Sequence, residues 1–199
     1  MKTLAKVLCF SALAACSGNW ETDFDEPLNP SVTRGWNVVG VSVNVPDELT
    51  TTEENSYTPN ADIVWHGEPR GDRRAQVAAI LRDGIARGSR DLNGAQNVKL
   101  NVQLQEFHAV TPIARERAPS AVHNISYIIQ VTDARTGQII SAPEQIRADL
   151  EAYTGLRAVE ATFNGQTQKV RITDHLERVT EGWLGIGPDP REVFEGVGR

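Results

Sequence analysis

An α+β fold is what the sequence predicts: an antiparallel or mixed sheet of about four to six strands with two helices packed on one face. Three observations carry that expectation. Apolar and polar residues alternate with period two over Trp36–Val45, Val98–Gln105 and Ile125–Val131. Apolar residues recur at helical spacing from Val77 to Gly88 and again from Leu176 to Trp183. The segments run strand, helix, strands, helix, without the regular alternation of a parallel α/β sheet.

The elements follow in order. Val39, Val41, Val43 and Val45 share one phase of the first strand, and Pro46 stops it. The polar stretch 47–60 reads as a long, mobile loop, and Ala61–His66 as a short strand. Asp72 suits the N-cap of the first long helix. Val77, Ile80, Leu81, Gly84, Ile85 and Gly88 form its inner stripe, with Arg73, Arg74, Arg82 and Arg87 off it. Gly84 and Gly88 each weaken the helix by about 1 kcal/mol, and their bareness lets it lie close against a sheet. Val98, Leu100, Val102 and Leu104 make the clearest strand, and Phe107 breaks their phase, which predicts a bulge near Gln105–Glu106. The proline-bounded stretch 112–120 is a connector that projects Arg115 and Arg117 at its tip as a partner contact. Ile125, Tyr127, Ile129 and Val131 form the next strand, and 133–138 (DARTGQ) a turn. Residues 138–141 begin the return strand, and 145–152 continue the sheet. Residues 156–172 stay ambiguous between a helix and a hairpin turning at Asn164–Gly165. A last helix starts near Thr173 or Asp174, buries Leu176, Val179 and Trp183, and stops at Gly185 and Gly187.

Composition bounds the function. The 199 residues suit one globular domain. Twenty Lys+Arg stand against 26 Asp+Glu, a formal charge of −6, whereas a nucleic-acid binder needs a basic face. Cys9 and Cys16 are the two cysteines, too few for a disulfide framework or a four-cysteine zinc site. None of His66, His108, His123 and His175 stands three or four residues from another, so no helix presents a zinc pair. His108 and His123 could still meet across a hairpin, but the histidines are best read as hydrogen-bonded surface groups. Asp47, Glu48, Glu53 and Glu54 read as surface charge on the loop. No Gly-x-Ser-x-Gly elbow occurs, and the glycine-rich 182–188 follows a helix, whereas a phosphate cradle precedes one. No cofactor, metal site or catalytic set is therefore expected.

The N-terminus holds the most specific pattern. Lys2 and Lys6 precede an apolar run from Leu8 to Ala15, too short for a bilayer-crossing helix of about 20 residues but suited to a signal peptide. The run ends Leu13-Ala14-Ala15-Cys16. This resembles the bacterial lipobox. The resemblance implies that residues 1–15 are removed, that the Cys16 thiol receives a diacylglycerol, and that the new amine is acylated, with palmitate as the expected chain. Ser17 in place of an aspartate implies the periplasmic face of the outer membrane. Residues 16–34, with Pro27 and Pro30, then form the acylated end and a flexible tether with a contour of roughly 60 Å. Residues 35–184 form the α+β domain and 185–199 a mobile tail.

Element order and the strand–DxxTG–strand hairpin over about residues 36–184 resemble small α+β accessory lipoproteins of the periplasm and outer membrane. Three readings stay open. The first is a non-catalytic accessory module, held to the bilayer through acylated Cys16 and binding another envelope protein. The second is a lipid-binding component of an envelope transport system, which needs an apolar chamber of several hundred Å³. The third is an envelope hydrolase.

Overall fold

The computed structural model describes residues 20–194. In chain order its elements are β1 (Trp20–Asp23), α1 (Pro30–Thr33), β2 (Trp36–Asn44), β3 (Thr51–Thr52), β4 (Ile63–Val64), α2 (Arg73–Ser89), β5 (Gln96–His108), α3 (Pro112–Arg117), β6 (Ala121–Asp133), β7 (Glu144–Ala148), β8 (Leu150–Ala152), α4 (Gly155–Phe163), α5 (Gln168–Trp183) and β9 (Glu192–Phe194). The fold is mixed α+β around an open sheet. Its nine strands and five helices exceed the four to six strands and two helices expected, because short strands and both ends of the described chain join the sheet.

The antiparallel pair β5–β6 forms the centre, with Val98 opposite Asp133 and His108 opposite Asn124. The register shifts between Leu104 and Glu106, which is the bulge that the phase of Phe107 predicts. On the free edge of β5, β2 runs parallel along residues 96–103, and β4 follows at 107–108. On the free edge of β6, β7 and then β8 take consecutive stretches. β1 joins β7, and β9 joins β1, both antiparallel. This register gathers the start of β1, the start of β6, the end of β5 and the end of β8 at one end of the sheet. The turn at Asp133 lies at the other. That turn closes as predicted, with Gly137 at φ 74° and Asp133 Oδ1 accepting from the Arg135 and Thr136 amides. Only an isolated bridge, Thr132 to Ile139, follows it, and the return strand proper starts at Glu144.

One face of the sheet is buried. Val98, Leu100, Val102 and Leu104 of β5 and Ile125, Tyr127, Ile129 and Val131 of β6 meet the inner stripes of α2 and α5. Asp72 caps α2 as expected, accepting from the Ala75 amide at 3.0 Å. The two inner glycines serve a different contact from the one predicted. A Cβ on Gly84 would stand 2.6 Å from Leu176 Cβ, and one on Gly88 2.4 Å from Glu177 O, so both face α5 and not the sheet.

Several sequence expectations are corrected. α5 starts at Gln168, capped by Thr167, one turn and more before Thr173. Asn164–Gly165 is the turn between α4 and α5, with Gly165 at φ 79°, and not a β-hairpin. From Trp20 onward the expected tether is part of the body. β1 pairs on both edges, Phe24 is buried, the Leu28 amide donates to Trp183 O at 2.8 Å, and Thr33 Oγ1 donates to Leu184 O at 2.9 Å. The expected tail contributes β9, and Arg191 donates to Asp25 O at 2.8 Å. The loop 47–60 is pinned. Arg73 grips Glu53 with two hydrogen bonds of 2.6 and 3.0 Å, Arg74 donates to the carbonyls of Pro46, Asp47 and Leu49, and Thr111 Oγ1 donates to Ser56 O at 2.7 Å.

Candidate functional site

The end of the sheet where β1 begins carries the features that bear on function. α3 and α4 lie there, joined by Arg115, which donates to Ala158 O at 2.8 Å and to Thr162 Oγ1. Arg115 therefore braces two helices and does not project from a tip. Thr111 caps α3, so the proline-bounded connector is a short helix. Arg117 stays exposed, beside Glu116 at 3.4 Å. Cys16 lies outside the described residues, as do the rest of the lipobox and residues 195–199.

α4 is an amphipathic helix with its apolar side turned outward. Ala158 is buried against the body, while Leu156, Val159 and Phe163 are 88%, 64% and 91% exposed. Their i, i+3, i+7 spacing puts them on one face. The sequence pattern alone leaves this helix unassigned. The signal was present in that spacing, but a short apolar set beside Asn164–Gly165 fits a hairpin equally well.

A cleft of about 550 Å³ opens nearby between α5, β8 and the β1–β9 edge. Thr22, Asp149 and His175 meet on its wall. Thr22 Oγ1 donates to Asp149 O at 2.9 Å, and His175 Nε2 stands 3.2 Å from the same hydroxyl. Burial, reinforced by Arg178 and Arg171, holds the His175 pKa down to about 4, so the ring is neutral at pH 7. Asp149, between β7 and β8, ties β6 to β1. Its Oδ1 accepts from Asn124 Nδ2 at 2.7 Å and the Ile125 amide at 3.1 Å, and its Oδ2 from the Glu21 amide at 3.2 Å. Arg171 donates to Glu151 O at 2.8 Å and lies 3.4 Å over the Tyr153 ring, which Arg157 also covers at 3.8 Å. The polar groups of this wall satisfy one another.

The histidines are not the surface groups expected. His108, His123 and His175 are buried, and His66 is half-buried. His108 opposes Asn124 in the ladder, which puts His108 and His123 on opposite faces of the sheet and removes the cross-hairpin pair. His108 Nε2 stands 3.2 Å from Pro59 O, and His123 Nδ1 accepts from the Val110 amide at 3.3 Å. Burial drives the His123 pKa down to about 3. Among the described residues, no three His, Cys, Asp or Glu side chains are grouped to hold a metal ion, and no helix is long and apolar enough to cross a membrane.

A family model described as Family of unknown function (DUF6778) matches residues 36–199. The chain belongs to that family. In this DUF6778 chain, the match takes in α3, α4 and every wall of the cleft except β1. Comparison with curated proteins gives no match. Among solved structures, a candidate lipoprotein from Caulobacter crescentus CB15 aligns at 17% identity over 54% of this chain and 83% of its own, with a TM-score of 0.35. A minor lipoprotein from Acinetobacter baumannii aligns at 14% identity over 73% and 91%, with a TM-score of 0.31. The PelC dodecamer from Paraburkholderia phytofirmans aligns at 11% identity over 80% and 96%, with a TM-score of 0.28. All three TM-scores lie below 0.5.

Proposed function

We propose that this protein is a lipoprotein of the bacterial envelope, anchored through acylated Cys16 at the periplasmic face of the outer membrane. It works there as a non-catalytic accessory module that binds another envelope protein. The sequence Leu13-Ala14-Ala15-Cys16, behind a charged start and a short apolar run, carries this reading. Two acyl chains on one residue make anchoring stable, since each buried methylene adds roughly 0.8 kcal/mol. The fold fits the role. The interface between the sheet and the helices α2 and α5 is filled by large side chains, Trp65, Phe107, Tyr127 and Trp183 among them.

Cys16→Ser tests the anchor. The wild-type protein should fractionate with membranes, and mass spectrometry should find acyl chains on its N-terminal residue. The variant should accumulate as unprocessed precursor or as soluble protein. Unchanged membrane partitioning of Cys16→Ser, or a bare thiol at that residue in the native protein, overturns the reading. Affinity purification of the acylated form from solubilised membranes tests the accessory role, which fails if no specific envelope protein comes with it.

A further inference from the structure

Eight large apolar side chains are exposed among the described residues, and four of them, Tyr57, Leu156, Val159 and Phe163, gather at one end of the sheet. That grouping follows from topology. β2 runs parallel to β5 toward this end, so the loop bearing Tyr57 leaves there. β8 ends there and feeds α4 after two residues. The loop and α3 are tied together by the Ser56, Asn55 and Thr111 hydrogen bonds. β1 starts at the same end, because it runs antiparallel to β7, with Thr22 opposite Ala148 and the Asp149 amide donating to Glu21 O.

The chain itself says what lies beside this surface. Cys16 is four residues before Trp20, a reach of at most about 14 Å when fully extended. The first residue of α4 is six residues beyond Asp149, whose amide donates to Glu21 O of β1 and whose Oδ2 accepts from the Glu21 amide. An acyl chain on Cys16 would therefore hold this end of the body against lipid, and no long tether would let the body turn away. Leu156, Val159 and Phe163 are an exposed apolar row, Leu156 and Val159 bordering a groove shared with Pro112 and Arg115 of α3, and Ala158 is buried on the opposite side of α4. Glu160 and Arg157 border the row with opposite charges, so the surface selects for an apolar, interfacial environment and not for one sign of headgroup.

We infer that the outward face of α4, Leu156, Val159 and Phe163, lies in the headgroup–acyl boundary of the bilayer that holds Cys16, so that the protein rests on the membrane by the α3–α4 end of its sheet. This rests on the anchor proposed above and adds an orientation to it. The cleft beside α5 and the turn at Asp133 then sit at increasing distance from the lipid, and the far end of the sheet is left for a protein partner.

The mature acylated chain has no free thiol, which gives a direct test. Phe163→Cys and Ile139→Cys each introduce one. Phe163 is in the proposed contact, and Ile139 is 61% exposed at the opposite end of the sheet. Each acylated variant is labelled with a fluorophore and reconstituted into phosphatidylethanolamine–phosphatidylglycerol vesicles containing a nitroxide-labelled phospholipid. The loss of fluorescence at residue 163 should be severalfold larger than at 139. Equal quenching at the two positions on vesicle-bound protein overturns the inference and leaves the anchor standing. A Phe163→Cys protein that forms disulfide dimers as readily in detergent as on vesicles also overturns it, by giving the face to a second copy. Loss of the unlabelled acylated protein from the vesicles refutes the anchor, and this orientation falls with it.

Discussion

Gly88→Ala sets a local gain against a long-range clash, and the two have opposite signs. In a solvated helix the change adds about 1 kcal/mol of stability. In α2 the new Cβ would stand 2.4 Å from Glu177 O and 2.7 Å from Thr180 Cβ. Neither atom is the loose end of a side chain: one is main chain of α5, and the other is bonded directly to it. Restoring an ordinary contact of 3.4 Å requires the helices to part by about 1 Å. A gap of that size forfeits about a quarter to a half of the dispersion energy of the atoms it separates. Overpacking of this kind costs about 1–3 kcal/mol, and the rigid neighbours put Gly88 at the upper end. After the propensity gain, the net loss is about 2 kcal/mol. That lowers Tm by about 4–8 °C in a chain of this size. Gly84→Ala, whose nearest atom is 2.6 Å away, should also destabilise, and Gly40→Ala, with nothing within 4 Å, should change stability little. Urea and thermal unfolding followed by circular dichroism measure all three. A Gly88→Ala protein as stable as its parent refutes the close α2–α5 seam.

Acidification should weaken the fold through its buried histidines. An unfolded imidazole titrates near 6.5, whereas the folded protein holds His175 down to about 4 and His123 to about 3. Between pH 6.5 and 4 the unfolded chain binds protons that the native state refuses. Stability is therefore full above 6.5 and falls by about 2 kcal/mol per histidine at pH 5. Urea midpoints at pH 7.5 and 5 check this, and His175→Gln should remove about half of the difference; equal midpoints for the parent at both pH values contradict it. Asp149→Ala strands the Glu21 and Ile125 amides and the Asn124 amide group, for an expected loss of about 3 kcal/mol. Hydrogen exchange should quicken first in β1, and uniform protection there would show that β1 does not depend on Asp149.

The legible parts of the fold are the local ones. Strict alternation at Val98–Leu104 and Ile125–Val131 names the central strands, because a strand with one buried face repeats every two residues whatever it pairs with. Asp72, Gly137 and the broken phase at Phe107 are similarly local signals. The candidate surface was half legible: the spacing of Leu156, Val159 and Phe163 was readable, but its exposure was not. Arg115 shows the same limit. A guanidinium near a proline-bounded turn reads as a projecting charge until the Ala158 carbonyl is brought to meet it.

By itself the chain determined where its central strands and two long helices run, since these depend on neighbours a few residues apart. Only the tertiary structure decided that residues 20–34 belong to the body, that Gly84 and Gly88 face a helix, and that three histidines are interior. Each of those outcomes is a meeting of residues far apart in sequence, 128 positions in the case of Glu21 and Asp149. No periodicity encodes such meetings. They follow from which edges and faces remain uncovered once the central strands have paired.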